Sequence, residues 1–362
     1  MNQNHPIKQL YFYLTEGCNL ACRHCWLNPK HQTADKSYGS LDLELLKTIV
    51  QEGVQIDLKG VKLTGGEPLM HPQIHDILDF LATTELSVDI ETNGILVTPE
   101  IAKKFADFKR KFVAISLDGA TADTHQHIRG VDGCFDDTIQ GIKHFVDAGI
   151  RPQVIMSVMQ SNKHQIEDLV KLGESLGVSS IKFNIIQPTG RGKSMTDHGD
   201  TLTIQEHLDT AGWIINELQP TTKIKLTYHL PPAFIPLNKM FSSQNGGCVI
   251  CGIFGILGVL ANGAYALCGI GNHIQELVFG QAGQDKLEDV WNDNPTLNAI
   301  REGLPSRLTG VCGACMMKKS CLASCIAQNY HDGHDLWSPF WFCREAHEQG
   351  LFPHSRLTKD IS

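Results

Sequence analysis

All but one of the twelve cysteines of this chain fall into two close-spaced sets. Cys18, Cys22 and Cys25 lie near the N-terminus, and Cys248, Cys251, Cys268, Cys312, Cys315, Cys321, Cys325 and Cys343 lie in the last third. In a reducing compartment, where disulfides do not persist, such groups are ligands for a metal or an iron–sulfur cluster. Cys18-Asn19-Leu20-Ala21-Cys22-Arg23-His24-Cys25 puts three thiolates on one short loop. A four-iron cubane held by three thiolates keeps one iron open to chelate a substrate or cofactor, whereas a structural zinc site closes on four protein ligands. Zinc held by the three cysteines and His24 fits the same spacing. The later thiolates suffice for two fully ligated four-iron clusters, or for two four-thiolate zinc sites. Cys134 reads as a small buried hydrophobe, and Trp26, Trp337 and Trp341 as channel or packing residues.

Composition sets the compartment and the class of partner. With 362 residues, 42% hydrophobic and 19% charged, this is an ordinary soluble globular chain. One hydrophobic core rarely serves that length, so two units are expected. Thirty-one basic residues against 39 acidic ones leave a formal charge of -8, which offers no general attraction to nucleic acid or acidic lipid. Neither is expected as a partner. The opening Met1-Asn2-Gln3-Asn4-His5-Pro6 lacks the basic and apolar regions of a secretory signal, so a cytoplasmic location is expected.

The elements that must position the first cysteine loop are repeated βα units, because apolar β-type runs alternate with helical stripes from about residue 9 to residue 218. Strands are expected at Gln9 to Leu14, Val61 to Thr64, Leu86 to Ile90, Phe112 to Leu117, Gln153 to Val158 and Ile181 to Ile186. Helical stripes are clearest at Ile74, Ile77, Leu78 and Leu81, and at Ile139, Ile142, Phe145 and Val146. The strand runs read as almost wholly apolar, as in parallel sheets covered by helices. A helix from about Thr203 to Leu218 closes six units. The fold class is therefore α/β, a partial (β/α)6 TIM-like barrel, open rather than closed. The Cys18 loop follows the first strand, at the end where βα loops build active sites. Glu91 and Asp118 end barrel strands, where a carboxylate binds substrate, acts as a base or caps the next helix.

Leu230-Pro231-Pro232-Ala233-Phe234-Ile235-Pro236 breaks helix and ladder alike, dividing the chain into residues 1–235 and 236–362. Cys248 to Cys268 carries no charge over 21 residues, long enough for a membrane span. Its glycines and the Asn262-Gly263 turn favour a β-hairpin that delivers Cys268 at its end. Short helices fill the rest of this small cysteine-rich domain.

The Cys-x3-Cys-x2-Cys loop after strand one resembles that of the radical SAM superfamily, and the likeness extends over the first 220 or so residues. Gly65-Gly66-Glu67-Pro68 follows strand two as the family's Gly-Gly-Glu-Pro does. Glu91-Thr92-Asn93-Gly94 follows strand three, Ser116-Leu117-Asp118-Gly119 follows strand four, and Arg129-Gly130-Val131-Asp132-Gly133-Cys134-Phe135 is similar to the family's Arg-Gly-x-x-Gly-Ser-Phe segment. The resemblance implies that Cys18, Cys22 and Cys25 hold the catalytic [4Fe-4S] cluster. It implies S-adenosylmethionine (SAM) contacts from Gly65, Gly66, Glu67, Pro68, Asn93, Ser116, Asp118 and Arg129. Arg129 is suited to a bidentate carboxylate grip. His24 stands where the family usually has Tyr or Phe, so the implied adenine contact falls to an imidazole.

The later cysteines resemble the SPASM extension of peptide-modifying radical SAM enzymes. The interleaved pattern of that family implies one auxiliary [4Fe-4S] cluster on Cys248, Cys251, Cys268 and Cys325, and a second on Cys312, Cys315, Cys321 and Cys343. The function so implied is reductive cleavage of SAM to a 5′-deoxyadenosyl radical, hydrogen abstraction from a ribosomal peptide, and formation of a carbon–carbon or thioether cross-link. Formylglycine formation of the anaerobic sulfatase-maturase type is the runner-up. In that type an Asp follows the hairpin cysteine, whereas Gly269 does here. Epimerisation and small-molecule chemistry stay open, as does a non-catalytic zinc-bound peptide-binding protein. Strand one begins near Gln9, leaving no room for a fused leader-binding domain, so leader recognition falls to a separate protein or to these two domains. A reducing donor such as flavodoxin or ferredoxin completes the expected partners.

Overall fold

The structure is a computed structural model that describes residues 5–33, 36–240 and 251–358. Six parallel strands stand in chain order where the apolar runs place them: β1 (Gln9–Tyr13), β2 (Gly60–Thr64), β3 (Ser87–Thr92), β4 (Lys111–Ser116), β5 (Gln153–Val158) and β6 (Ser180–Ile185). Two more parallel strands flank them. β7 (Lys225–Tyr228) pairs with β6, and β8 (Ile256–Val259) pairs with β1 from Gln9↔Ile256 to Phe12↔Val259. β9 (Ala264–Ala266) and β10 (Val278–Gln281) extend the sheet antiparallel beyond β8. The result is an open sheet of ten strands, a partial TIM-like barrel whose cysteine-rich extension is joined to it by main-chain pairing. The hairpin turns at Asn262-Gly263, with Gly258↔Ala266 in register. Among the described residues no helix is long and apolar enough to cross a membrane.

Helices cover one face of the sheet: α1 (Leu43–Gln55), α2 (Ile74–Ala82), α3 (Pro99–Asp107), α4 (Ala122–Arg129), α5 (Cys134–Asp147), α6 (Ile166–Leu176), α7 (Arg191–Asp197) and α8 (Ile204–Trp213). Their starts are written in the sequence. Asp42 accepts from the Leu45 N–H at 2.8 Å, and Thr203 with Glu206 forms a capping box ahead of α8. The turn after α8 widens at Ile214–Leu218, within the range expected to be helical. Leu10, Phe12, Leu63, Val88, Ile90, Met156 and Phe183 are buried in one core with Ile77, Leu78 and Leu81 of α2 and Ile142 and Phe145 of α5.

The strands are not wholly apolar. β3 and β5 alternate: polar Asp89 and Glu91 stand between the core positions of β3, and Ile155 and Ser157 between those of β5. Gln9 Nε2 donates to Asp89 Oδ2 at 2.7 Å, and Lys62 pairs with Glu91. This concave face lines cavities rather than a packed core, so its polar groups keep polar partners.

Candidate active site

The first cysteine loop is pinned on three sides. Gly17–Cys18 pairs in parallel with Lys30–His31, drawing the ends of the loop together. The N–H groups of Ala21 and Arg23 donate to the carbonyls of Arg129 and Ile128 at the end of α4, at 3.0 and 2.9 Å. Arg191, opening α7, donates from Nε to the Cys22 carbonyl at 2.7 Å and from Nη1 to the Pro29 carbonyl at 3.3 Å. Held this way, Cys18, Cys22 and Cys25 line a cavity of about 200 Å³ together with His24, Gly66, Glu67, Asn93, Ser116, Arg129 and Arg191.

The loop after β2 packs against the cysteine loop backbone to backbone. A side chain on Gly66 would run into the Gly17 carbonyl. The N–H groups of Gly66 and Glu67 donate to the Thr15 and Gly17 carbonyls at 3.0 and 3.1 Å. The buried Glu67 carboxylate accepts from Thr92 Oγ1 at 2.7 Å and from the N–H groups of Asn93 and Leu69 at 2.8 and 3.1 Å. Burial raises this carboxyl to about 7 against the pull of those bonds. Both its oxygens are used inside the protein, so Glu67 braces the loops after β2 and β3. Asn93 Nδ2 donates to Asn19 Oδ1 at 2.7 Å, carrying the brace to the cysteine loop.

Three of the residues implied to touch SAM do not line this cavity. Gly65 faces a neighbouring cavity with Tyr13, Asn28 and Asn262. Pro68 is buried at the start of a short turn, Pro68–Met70. Asp118 is fully buried, accepting from the Ser157 N–H at 2.8 Å and paired with Arg129 Nη2 at 2.8 Å and His24 Nε2 at 3.5 Å. Burial alone would raise its pKa, but Arg129 and His24 hold it below the usual carboxylate range. In this arrangement Asp118 positions Arg129 and His24 from behind the cavity wall, and its hydrogen bond goes to a strand rather than to a helix start. Burial lowers His24 to about 4, so its ring is neutral. Arg129 Nη1 approaches Cys22 Sγ at 3.5 Å.

Several buried polar atoms around the cavity have no protein partner: Arg129 Nε, Arg191 Nη2 and His24 Nδ1. Leaving such groups unpaired costs free energy, so they mark a place for a polar ligand. Three thiols on one wall and unmet donors and acceptors on the others fit a three-thiolate cluster with SAM beside it.

A second cavity of about 360 Å³ continues from the first, since His24, Trp26, Ser157 and Asn184 line both. Its far wall carries Cys251, Cys268 and Cys325. Cys312, Cys315, Cys321 and Cys343 surround a separate small cavity with Met317 and Phe352. Cys248 lies outside the described residues. Cys134 is buried beside Cys18 and Cys22, and burial pushes its thiol up to about 11. Of the three tryptophans singled out, Trp26 lines the chamber. Trp337 stacks on Arg307 at 4.2 Å, and Trp341 donates to Gln328 at 3.2 Å. Sequence reasoning missed Arg191, Asn184, Ser157 and Lys182. Arg191 left one signal, a charge between Gly190 and Gly192 in the loop after β6.

The sequence profile of the Radical SAM superfamily matches residues 12–173, and that of the SPASM iron–sulfur cluster-binding domain matches residues 248–316. The second match spans Cys248, Cys251, Cys268, Cys312 and Cys315 and favours iron–sulfur clusters over zinc there. An AdoMet-dependent heme synthase of Methanosarcina barkeri is 29% identical over 332 residues, 88% of this chain and 90% of that protein. The mycofactocin maturase MftC of Mycobacterium tuberculosis is 26% identical over 355 residues, 96% of this chain and 85% of its own. Streptococcus suis SuiB bound to S-adenosylmethionine superposes with a TM-score of 0.73 over 94% of this chain and 78% of SuiB, at 16% identity, a likeness of fold. Two profile matches in the expected order, on a partial barrel that gathers the three leading thiols at one cavity, make this chain an enzyme of the radical SAM superfamily with a SPASM domain.

Proposed function

We propose that this enzyme is a cytoplasmic maturase of a ribosomally made peptide and joins two of its side chains through a carbon–carbon or thioether bond. One observation carries the reading: the cavity at Cys18, Cys22 and Cys25 opens into a chamber whose far wall holds Cys251, Cys268 and Cys325. Bound at the reduced N-terminal cluster, SAM supplies the radical chemistry that takes a hydrogen atom from an unactivated carbon. The chain's own residues do the rest. Arg191 and the end of α4 hold the cysteine loop, Glu67 and Asn93 lock the loops beside it, and Asp118 aims Arg129. Ile185, Ile186, Ile270 and Phe340 give the chamber apolar walls that keep water from a reactive carbon.

We assign Cys248, Cys251, Cys268 and Cys325 to an auxiliary cluster at the chamber, and Cys312, Cys315, Cys321 and Cys343 to a second. The first stands where it would accept the electron released as the new bond forms. The chain divides near residue 235 into barrel and auxiliary-cluster domain. A flavodoxin or ferredoxin would supply electrons, and a separate protein would present the leader where one is needed. The maturase name of one relative supports a peptide substrate. Formylglycine formation is disfavoured because Gly269 packs against the Tyr13 ring and Leu27, leaving no room for the Asp that the reaction uses.

A haem precursor is the second reading, favoured by the relative named for haem synthesis. Anaerobic turnover with SAM, reductant and either a candidate precursor peptide or a haem precursor separates the two. The expected result is a peptide lighter by two hydrogens, formed with 5′-deoxyadenosine. Consumption of the haem precursor alone would move the assignment, and no 5′-deoxyadenosine with either would overturn both readings.

A further inference from the structure

Lys182 is a cation on the chamber wall that the protein leaves without a counter-charge in contact. It belongs to the concave face of β6, two residues before Asn184, and lines the chamber. The other charged groups of that face are answered. Lys62 pairs with Glu91 and lies over the Tyr11 ring at 4.8 Å, and Asp89 accepts from Gln9. Among the described residues Lys182 makes neither a hydrogen bond nor an ion pair. Burial and the nearby Lys62 lower its pKa, with Glu91 pulling the other way.

The neighbouring groups narrow what would satisfy it. Asn184 Oδ1 and Gln187 Oε1, on the same wall, are buried acceptors without donors. Trp26, Ile186 and Phe340 add apolar surface to the same chamber. A cation, two free acceptors and an apolar wall are complementary to a carboxylate that carries an N–H group nearby and an apolar body. A lysine is a compact point charge, so it takes such a group without demanding a bidentate geometry.

We propose that Lys182 anchors a substrate carboxylate in this chamber, with Asn184 and Gln187 accepting from the adjacent N–H groups. The proposal rests on the chamber being the substrate site, as read above, and not on which bond the enzyme makes. The carboxylate would be the C-terminus of the peptide or an Asp or Glu side chain.

The test uses reconstituted holoenzyme with SAM and two small probes. Hippurate has a carboxylate, an amide N–H and a phenyl ring; hippuramide replaces the carboxylate by a neutral carboxamide of similar size. Calorimetric titration is expected to show the acid binding roughly tenfold to a hundredfold more tightly than the amide, the range for a charge-assisted hydrogen bond. Lys182→Met should erase that preference. Lys182→Arg should restore most of it, which separates loss of the cation from loss of fold. Equal binding of acid and amide, an undiminished preference in Lys182→Met, or binding of neither probe would overturn the anchor. With a turned-over peptide, amidating the C-terminus or replacing its Asp and Glu by Asn and Gln identifies the source. Loss of affinity on one of these changes names it, and loss on neither overturns the proposal. Absence of 5′-deoxyadenosine in wild-type turnover would instead strike the maturase reading, leaving the acid–amide comparison to judge Lys182.

Discussion

Glu67 and Asp118 are buried carboxylates whose oxygens are bonded within the protein, so each braces the walls of the site. Each spends its oxygens on neighbouring loops, Glu67 on Thr92, Asn93 and Leu69, and Asp118 on Arg129 and Ser157. Glu67→Gln would set an NH2 group against a backbone N–H. It is expected to cost about 1–3 kcal/mol, read as a lower urea midpoint of the holoenzyme. Substitution of Cys18, Cys22 and Cys25 by Ala should abolish SAM cleavage while leaving roughly two thirds of the iron, the share of two auxiliary clusters out of three. Persistent 5′-deoxyadenosine in that triple variant would contradict the assignment of the leading cysteines.

Among the elements, α8 and β7 meet through a buried histidine. His207 Nδ1 lies 2.7 Å from the Tyr228 hydroxyl, and its ring packs on Phe342. Burial holds its pKa at about 4 against an ordinary 6.5. The folded form thus stays neutral where the unfolded chain takes up a proton. Stability is full above 6.5 and falls as pH drops from there toward 4. By about pH 5.5 the loss from this group is about 1 kcal/mol. His207→Leu should flatten that part of the pH dependence of the urea midpoint. At the hairpin, Gly269→Ala is expected to displace the Tyr13 ring and lower stability by about 1–3 kcal/mol, seen as a lower thermal midpoint. An unchanged midpoint would mean the Tyr13 side of the chamber yields easily.

Six strands and the Asn262-Gly263 hairpin were legible because each leaves a local mark, an apolar run or a turn dipeptide. β7 left none, since Lys225-Leu226-Thr227-Tyr228 is short and alternates. The pairing of β8 with β1 was equally hidden, because a parallel partner from a distant part of the chain has no neighbouring residues to betray it. At the site, cysteine spacing reported the ligands directly. Motif membership could not separate Gly66, which lines the cavity, from Pro68, which supports it, because both are required by the same loop. Arg191 and Lys182 act through tertiary placement and carry no local pattern.

For the whole molecule, the continuous sheet from β7 to β10 decides what the cysteine-rich extension can do. Pairing β8 against β1 brings Cys251 and Cys268 to the chamber that the barrel opens from its own cysteine loop. The quartet containing Cys312 and Cys343 stands apart, around its own cavity. Two readouts at this scale are separable. Iron and acid-labile sulfide should approach about twelve of each per chain for three four-iron clusters, whereas zinc in the extension would leave about four. Catalysis asks more, that the radical made at one end of the chamber be used on a substrate within it. The most direct measurement is therefore anaerobic turnover of a candidate precursor peptide, following peptide mass and 5′-deoxyadenosine together. Loss of two hydrogens from the peptide in step with 5′-deoxyadenosine is the expected result. An unmodified peptide, with 5′-deoxyadenosine formed at the same rate in its absence, would contradict the account.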